Sequence, residues 1–482
     1  MELHIGLDET GTGDLATSIY AQIRVAVLDG RLAPGVRVPP TRQLARSLGV
    51  ARGTVSAAYD RLVAEQFLDS RAGSGTYVTD ACRQGPRLAR HARPGVVSPV
   101  PLWAGVDPPP AFAASRREAG PAAYDLTLGV PDVSLFPLAL WRRLVSAQLR
   151  RAPHGWETYD VPGNPLLQAE IARYAGLSRH VVASRDDVVV TTGAQQALDL
   201  VARVLVEPGA VVAVEDPGYT AARRLLETHR ARVVGVPVDG EGLVVEALPD
   251  DARVVYVTPS HQFPTGVAMS LARRTALLEW AIRHDAVVVE DDYDSEFRFA
   301  DRPLEPLQSL DADGRVVYVG SFSKSLLPAL RVGYAIVPTS VQRAFREAKR
   351  VSDWNGDPVT QGALTRFLAE GHHAAHVRRA TKVYRERRET LLSELDGQLS
   401  GVVDVVPSAA GLHVCAVLRD ERVSDVDVAE AALAARVRVD PLSVRYGDQP
   451  ARQGLALGFG AVGAEAIPLV VRRLAGAIDA VR

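Results

Sequence analysis

From about residue 123 onward, runs of β-branched residues alternate with Ala/Leu/Arg stretches of helical period. The runs read DVVVTT, AVVAVE, ARVVYVT, AVVVED and RVVYVG. Alternation repeated in this way predicts an α/β sheet domain. At roughly 100 to 200 residues per domain, a chain of 482 residues has room for more than this one. With 47% hydrophobic and 23% charged residues it can bury substantial cores, which excludes wholesale disorder.

A different composition precedes the sheet domain. Residues 81–122 are rich in Pro, Ala, Gly and Arg, with RPG, VSPVP and DPPPA segments and no sustained periodicity, and read as a linker. Residues 12–80 read as a compact module of their own. It has eight arginines and no lysine, and between 15 and 79 its charge balance is +4. Ile19, Ile23 and Val27 recur at a spacing of four, predicting a first helix that Asp29-Gly30 ends. Pro39-Pro40-Thr41 start a second helix with Leu44 and Leu48 on one face, and Gly49 closes it. Val55, Tyr59, Leu62 and Val63 mark a third helix. Gly73-Ser74-Gly75 then turns a small hairpin ending in Thr76-Tyr77-Val78. Helix, glycine turn, helix is the arrangement that offers a helix to the major groove, and the hairpin would be a wing. A helical accessory domain with ordinary surface arginines would show the same periodicity.

The ordered segments DGRLAPGVRVPPTRQLARSLGVARGTV and AGSGTYV closely resemble the DNA-binding domain of GntR-type bacterial regulators, over the whole module. The resemblance implies that Arg37 and Arg42 contact the DNA backbone. Arg52 and Thr54, at the start of the third helix, would reach phosphate or base edges, and Gly75 would bring the wing close to the minor groove. Ala51 stands where that family usually has a Ser or Thr cap, a loss of about 1 kcal/mol. Pro40 stands where Ser is usual.

All but three of the 55 basic residues are arginine. The survivors are Lys324, Lys349 and Lys382. Lys349 and Lys382 sit in the charged stretches REAKR and TKVYRERRE, which read as solvated helix faces. Lys324 differs, because it follows the apolar run RVVYV directly, within GSFSKSLLPALRVGY. Lysine can form an imine near neutral pH and arginine cannot. Pyridoxal 5'-phosphate needs such a lysine, a carboxylate at its pyridine nitrogen and a cradle for its phosphate. Asp291 ends the run AVVVED, two residues before Tyr293. Ser321, Ser323 and Arg331 flank the lysine, and Thr192-Gly193-Ala194-Gln195 opens a predicted helix whose first amides suit an anion.

Together these segments resemble the fold type I aminotransferases from about Asp125 onward. The resemblance implies Lys324 as imine lysine, Asp291 as pyridinium partner, Tyr293 as partner of the phenolic oxygen and Arg331 as phosphate ligand. Gly193, Ala194 and Gln195 would supply phosphate amides. Tyr219 would stack on the ring, and Tyr159 would reach the phosphate from the other subunit of a dimer. Where aminotransferases carry Asn-Pro-Thr-Gly, residues 259–266 read PSHQFPTG, with Phe263 in the asparagine position. His261 or Gln262 is the candidate to replace its polar contact with an effector. Arg445, in PLSVRYGDQ, is the candidate for a ligand carboxylate; its other reading is a plain surface residue.

A GntR-like module, a linker and an aminotransferase-like domain, the last divided near residue 340 into a large and a small part, resemble the MocR family of bacterial transcriptional regulators. That likeness implies a homodimer binding double-stranded operator DNA and sensing pyridoxal phosphate, vitamin B6 or another amine through Lys324. Two further readings stand beside it: an active aminotransferase with a DNA-binding appendage, and a regulator whose large domain only dimerises. Only Cys82 and Cys415 are present, so neither a disulfide framework nor a Cys-rich metal site is expected. No apolar run reaches the roughly 18 residues of a membrane span, and the sequence predicts a cytoplasmic protein.

Overall fold

The computed structural model describes residues 5–6, 14–71, 73–79, 100–103, 123–150, 164–299, 305–354 and 356–482. Two compact units divide between Gly105 and Val106. Most of the stretch read as a linker, and Tyr159, lie outside the described residues.

In the first unit, α1 (Leu15–Leu28) begins where the Asp14 side chain accepts the Ala16 N–H, and ends at Asp29. Next, α2 (Thr41–Leu48) stops at Gly49, whose left-handed φ of +66° glycine adopts without a Cβ penalty. The third helix, α3 (Arg52–Ala64), starts at Ala51 with no side-chain cap, as the sequence predicts. Strands β1 (Leu68–Arg71) and β2 (Gly75–Val78) pair antiparallel, in register from Leu68 opposite Val78 to Arg71 opposite Gly75. One core holds the unit together: Ile19, Ile23, Val27, Leu44, Val55, Tyr59, Leu62, Leu68 and Val78 are all buried in it.

The second unit opens with β3 (Tyr124–Asp125) and is built on an eight-stranded sheet. Its strands are β4 (Val188–Thr191), β5 (Val211–Asp216), β6 (Arg232–Asp239), β7 (Gly242–Leu243), β8 (Ala252–Val257), β9 (Val287–Asp292), β10 (Val316–Ser321) and β11 (Gly333–Ile336). Their spatial order is β4-β11-β10-β9-β8-β5-β6-β7. The run β10-β9-β8-β5-β6 is parallel, and β11 lies antiparallel between β10 and β4. Apolar residues such as Val212, Val255, Val288 and Val317 are buried on both faces, which explains why the runs show no period-2 alternation. A second sheet of order β12-β13-β16-β15 uses β12 (Val403–Val405), β13 (His413–Leu418), β15 (Asp440–Pro441) and β16 (Gly454–Gly458). Between them in sequence, β14 (Val437–Arg438) pairs in parallel with β3.

Lys349 departs from the solvated face expected of it. Only 2% of its side chain is exposed, and Nζ donates to Gln196 Oε1 at 2.9 Å and to the Asp353 carboxylate. The helix Gln342–Asp353 turns this residue inward, where Gln196 supplies an acceptor from 153 residues away. Lys382 is exposed, as expected.

Candidate functional site

Ligands of open α/β sheets lie beyond the carboxyl ends of the parallel strands, and the predicted residues gather there. Lys324 follows β10, Asp291 closes β9, Phe263 follows β8, Tyr219 follows β5 and Gly193 follows β4. All five regions face one cavity of about 900 Å³, at the large end of the range for small-molecule sites. Its wall includes Ala194, Gln195, Tyr219, Asp291, Tyr293, Ser321, Ser323, Lys324, Arg331 and Arg445.

Lys324 is half-buried, and its Nζ donates to the Gly129 carbonyl at 2.9 Å. Burial lowers its pKa from the ordinary lysine range, against the pull of Asp294 and Asp291. A lysine so placed spends more time as the neutral, nucleophilic amine. Asp291 accepts the Tyr256 hydroxyl at 2.7 Å on one oxygen, and its other oxygen is buried without a partner. Burial pushes this carboxyl up to about 7. A buried carboxylate with one orphaned oxygen is completed by a cationic N–H donor, which a protonated pyridine provides.

The phosphate cradle also fits. Gly193 precedes the helix Ala194–Leu205 with a φ of +105°. A Cβ on it would lie 2.8 Å from Arg331 Nη2, so the guanidinium lies directly against the glycine. Arg331, itself left-handed at φ +50°, donates from Nη2 to the Thr192 carbonyl at 2.6 Å. The Ala194 and Gln195 amides lie in the first turn, where a helix leaves its N–H groups unpaired. Ser321 Oγ and Ser323 Oγ are 2.9 Å apart at the same end of the sheet. Carbon skeleton, positive charge and amide donors thus converge beside the lysine, as a phosphorylated aromatic aldehyde requires.

Arg445 lies in the cavity wall with only 5% of its side chain exposed, so the surface reading does not hold. Its guanidinium carbon sits 5.5 Å from the centre of the Phe263 ring and its Nε is buried without a partner. Asp440 approaches Nη2 only to 3.5 Å. Burial lowers the Arg445 pKa, with Asp440 opposing. An oxyanion there would satisfy the orphaned donor.

His261 does not reach the cavity as an effector contact. It lies behind Tyr293, with its Nδ1 at 3.1 Å from both the Tyr293 hydroxyl and Asp294 Oδ1. Gln262 is likewise turned away, its amide donating to the Pro217 carbonyl and accepting from Thr265. Both side chains are spent holding the loop, so Phe263 leaves this wall apolar. Two participants escaped sequence reasoning. Asp294 sits beneath His261, and His413 lines the cavity from β13. Only the acid-rich segment EDDYDSE hinted at the first, and nothing near His413 hinted at the second.

In the first unit Arg37, Arg42 and Arg52 are exposed, and Thr54 and Gly75 are half-buried. Arg37 bridges to Tyr77 in the wing, and a Cβ on Gly75 would meet Arg37 Nε at 2.6 Å. Arg52 Nε approaches Thr41 Oγ1 at 3.4 Å across the turn between α2 and α3. Arg37 thus stands beside the wing glycine, and Arg52 beside the start of α2.

Comparison with known proteins places both units. Residues 15–78 match bacterial regulatory proteins of the gntR family, and residues 136–447 match aminotransferase class I and II. The probable rhizopine catabolism regulatory protein MocR of Rhizobium meliloti is 36% identical over 464 residues, spanning 95% of this chain and 92% of its own length. The chain is a MocR-type regulator of the GntR family. A second member, the pyridoxine biosynthesis regulator PdxR of Corynebacterium glutamicum, is 33% identical over 480 residues and 99% of each chain. Among solved structures, the α-aminoadipate aminotransferase LysN of Thermus thermophilus, complexed with N-(5'-phosphopyridoxyl)-L-leucine, superposes with a TM-score of 0.70 at 29% identity, covering 77% of this chain and 96% of LysN. MocR-type architecture therefore joins a winged helix to the fold of the pyridoxal-phosphate aminotransferases. Among the described residues no helix is long and apolar enough to cross a membrane.

Proposed function

We propose that this MocR-type protein is a cytoplasmic, homodimeric regulator that binds double-stranded operator DNA through its winged helix and senses pyridoxal 5'-phosphate, or an amine that reacts with it, at Lys324. The observation that carries the reading is the joint presence, around one cavity, of a half-buried lysine, a carboxyl with an orphaned buried oxygen and an arginine pressed against the glycine that starts a helix.

When bound, pyridoxal phosphate supplies an electrophilic carbon for amines and an electron-withdrawing ring. The residues here prepare that chemistry. Lys324 offers a nitrogen that burial makes easier to deprotonate, Asp291 holds a proton at the pyridine nitrogen, and Arg331 with the Gly193-Ala194-Gln195 amides holds the phosphate. Tyr219 and Phe263 pack edge to face at 5.5 Å and exclude water on one side. Arg445 selects effectors that carry an anionic group. Binding regulates only if the ligand prefers one arrangement of the dimer, and half-site spacing on DNA converts such a preference into affinity.

The test is an absorbance spectrum with pyridoxal phosphate before and after borohydride, on wild type and Lys324→Ala. A visible band that reduction fixes at Lys324, with amines then altering binding to DNA selected from a random pool, is the expected result. No band in wild type would overturn the sensing role. Sustained turnover of an amino acid with a keto acid would replace it with the aminotransferase reading, which the apolar Phe263 position disfavours.

A further inference from the structure

Behind Tyr293 is a buried assembly that the site as described does not use. Only 1% of the His261 side chain and 3% of Asp294 are exposed. One ring nitrogen, Nδ1, faces both Asp294, at 3.1 and 3.3 Å, and the Tyr293 hydroxyl, at 3.1 Å. The opposite nitrogen, Nε2, is buried without a partner. Asp294 also accepts the Leu412 N–H at 3.1 Å. Two glycines shape the space around the ring. A Cβ on Gly411 would fall 2.0 Å from His261 Cε1, and one on Gly266 would come within 3.1 Å of Nε2. Both glycines have positive φ, +81° and +83°.

A ring nitrogen carries at most one hydrogen, so the partners decide where it sits. Asp294 accepts a backbone N–H and faces Nδ1, which puts the hydrogen on Nδ1. Shared between Asp294 and Tyr293, that hydrogen makes the tyrosine oxygen an acceptor and leaves the hydroxyl hydrogen to point into the cavity. We infer that His261, oriented by Asp294, is a positioning residue that fixes Tyr293 as a hydrogen-bond donor toward the phenolic oxygen of the bound cofactor. The inference rests on the cofactor reading given above.

Asp291, Asp292, Asp294 and Glu215 act on Tyr293 electrostatically, and Lys324 lines the same cavity. His413 packs on His261 at 4.5 Å, and burial pushes it down to about 3, so it stays neutral and adds no charge. Within this setting a donor at the phenolic oxygen holds that oxygen's negative charge and weakens its grip on the proton of the neighbouring lysine nitrogen. Loss of the donor raises the pH at which that proton leaves.

The measurement is the pH midpoint of the visible band of protein-bound pyridoxal phosphate. His261→Leu should move it up by roughly one pH unit. His261→Asn, whose amide nitrogen replaces Nδ1, should stay close to wild type, whereas His261→Gln, which replaces Nε2, should behave like the leucine variant. Tyr293→Phe should shift the midpoint similarly, and adding His261→Leu to it should change nothing further. A midpoint unmoved in the leucine and glutamine variants, or a full extra shift in the Tyr293→Phe background, overturns the inference. Should the leucine variant fail to fold, the Asn and Gln pair decides alone. Absence of the band in wild type would instead sink the cofactor reading itself.

Discussion

Replacing Asp291 with asparagine removes a charge that the cofactor-free fold holds at a cost, and the size of that cost is legible in the structure. Burial raises the carboxyl from its ordinary 3.8 to about 7. At roughly 1.4 kcal/mol per pH unit the displacement is worth about 4 kcal/mol. Relaxation and water penetration reduce this to about 2. Because the folded pKa is the higher one, the folded protein keeps the proton while the unfolded chain loses it. Stability therefore falls as pH rises from about 4 to 7 and levels off above. Asparagine has no proton to lose, and its oxygen can still accept the Tyr256 hydroxyl. Glu215, Glu290 and Glu296 are also raised to about 7, but they titrate in both proteins and cancel to first order. Asp291→Asn minus wild type should thus become more favourable by about 2 kcal/mol between pH 4 and pH 8. For a unit of this size, at about 0.8 kcal/mol per degree, that is a gain of some 2 to 3 °C in Tm. The assay is thermal unfolding of both cofactor-free proteins across this range. With pyridoxal phosphate present the order should reverse, since only the carboxylate binds the protonated ring. Parallel curves for the two cofactor-free proteins would refute the reasoning.

Lys349→Met should lower stability by about 1 kcal/mol in guanidinium unfolding, because it removes one donor from Asp353, which keeps the Gln196 amide and partial contact with water, whereas exposed Lys382→Met should stay within about 0.5 kcal/mol. Gly193→Ala should weaken pyridoxal phosphate binding at least roughly tenfold in a fluorescence titration, since its φ of +105° suits glycine alone and a Cβ displaces Arg331. Arg52→Ala should leave helix content unchanged and make the slope of log affinity against log salt shallower by about 0.9 for selected DNA.

Much of this molecule could be read before its coordinates. Gly49 and Gly75 marked the turn and the wing, and the apolar runs placed Lys324, Asp291 and Gly193 at strand ends, because local period and backbone permissiveness are properties of short segments. What escaped depends on partners distant in the chain. Lys349 looked solvated because its own stretch is charged, and its acceptor Gln196 lies on another helix. His261 looked like a ligand contact because it lies two residues before Phe263, which stands in the asparagine position, yet Asp294 and two glycines from separate loops draw it behind Tyr293. Arg445 could be named from PLSVRYGDQ as a candidate for a ligand carboxylate, but its burial in the cavity wall beside Phe263 and Asp440 had no local signal to separate it from a surface residue.

The acceptor of the Lys324 hydrogen bond is the carbonyl of Gly129, four residues beyond β3. That short strand is laced to β14, whose Arg438 forms cavity wall together with Val439, Asp440 and Pro441 immediately afterwards. Residues 124–129 are thus moored at two points to the rim of the chamber. Any molecule that claims the lysine nitrogen takes it from Gly129, casting off one of the two moorings.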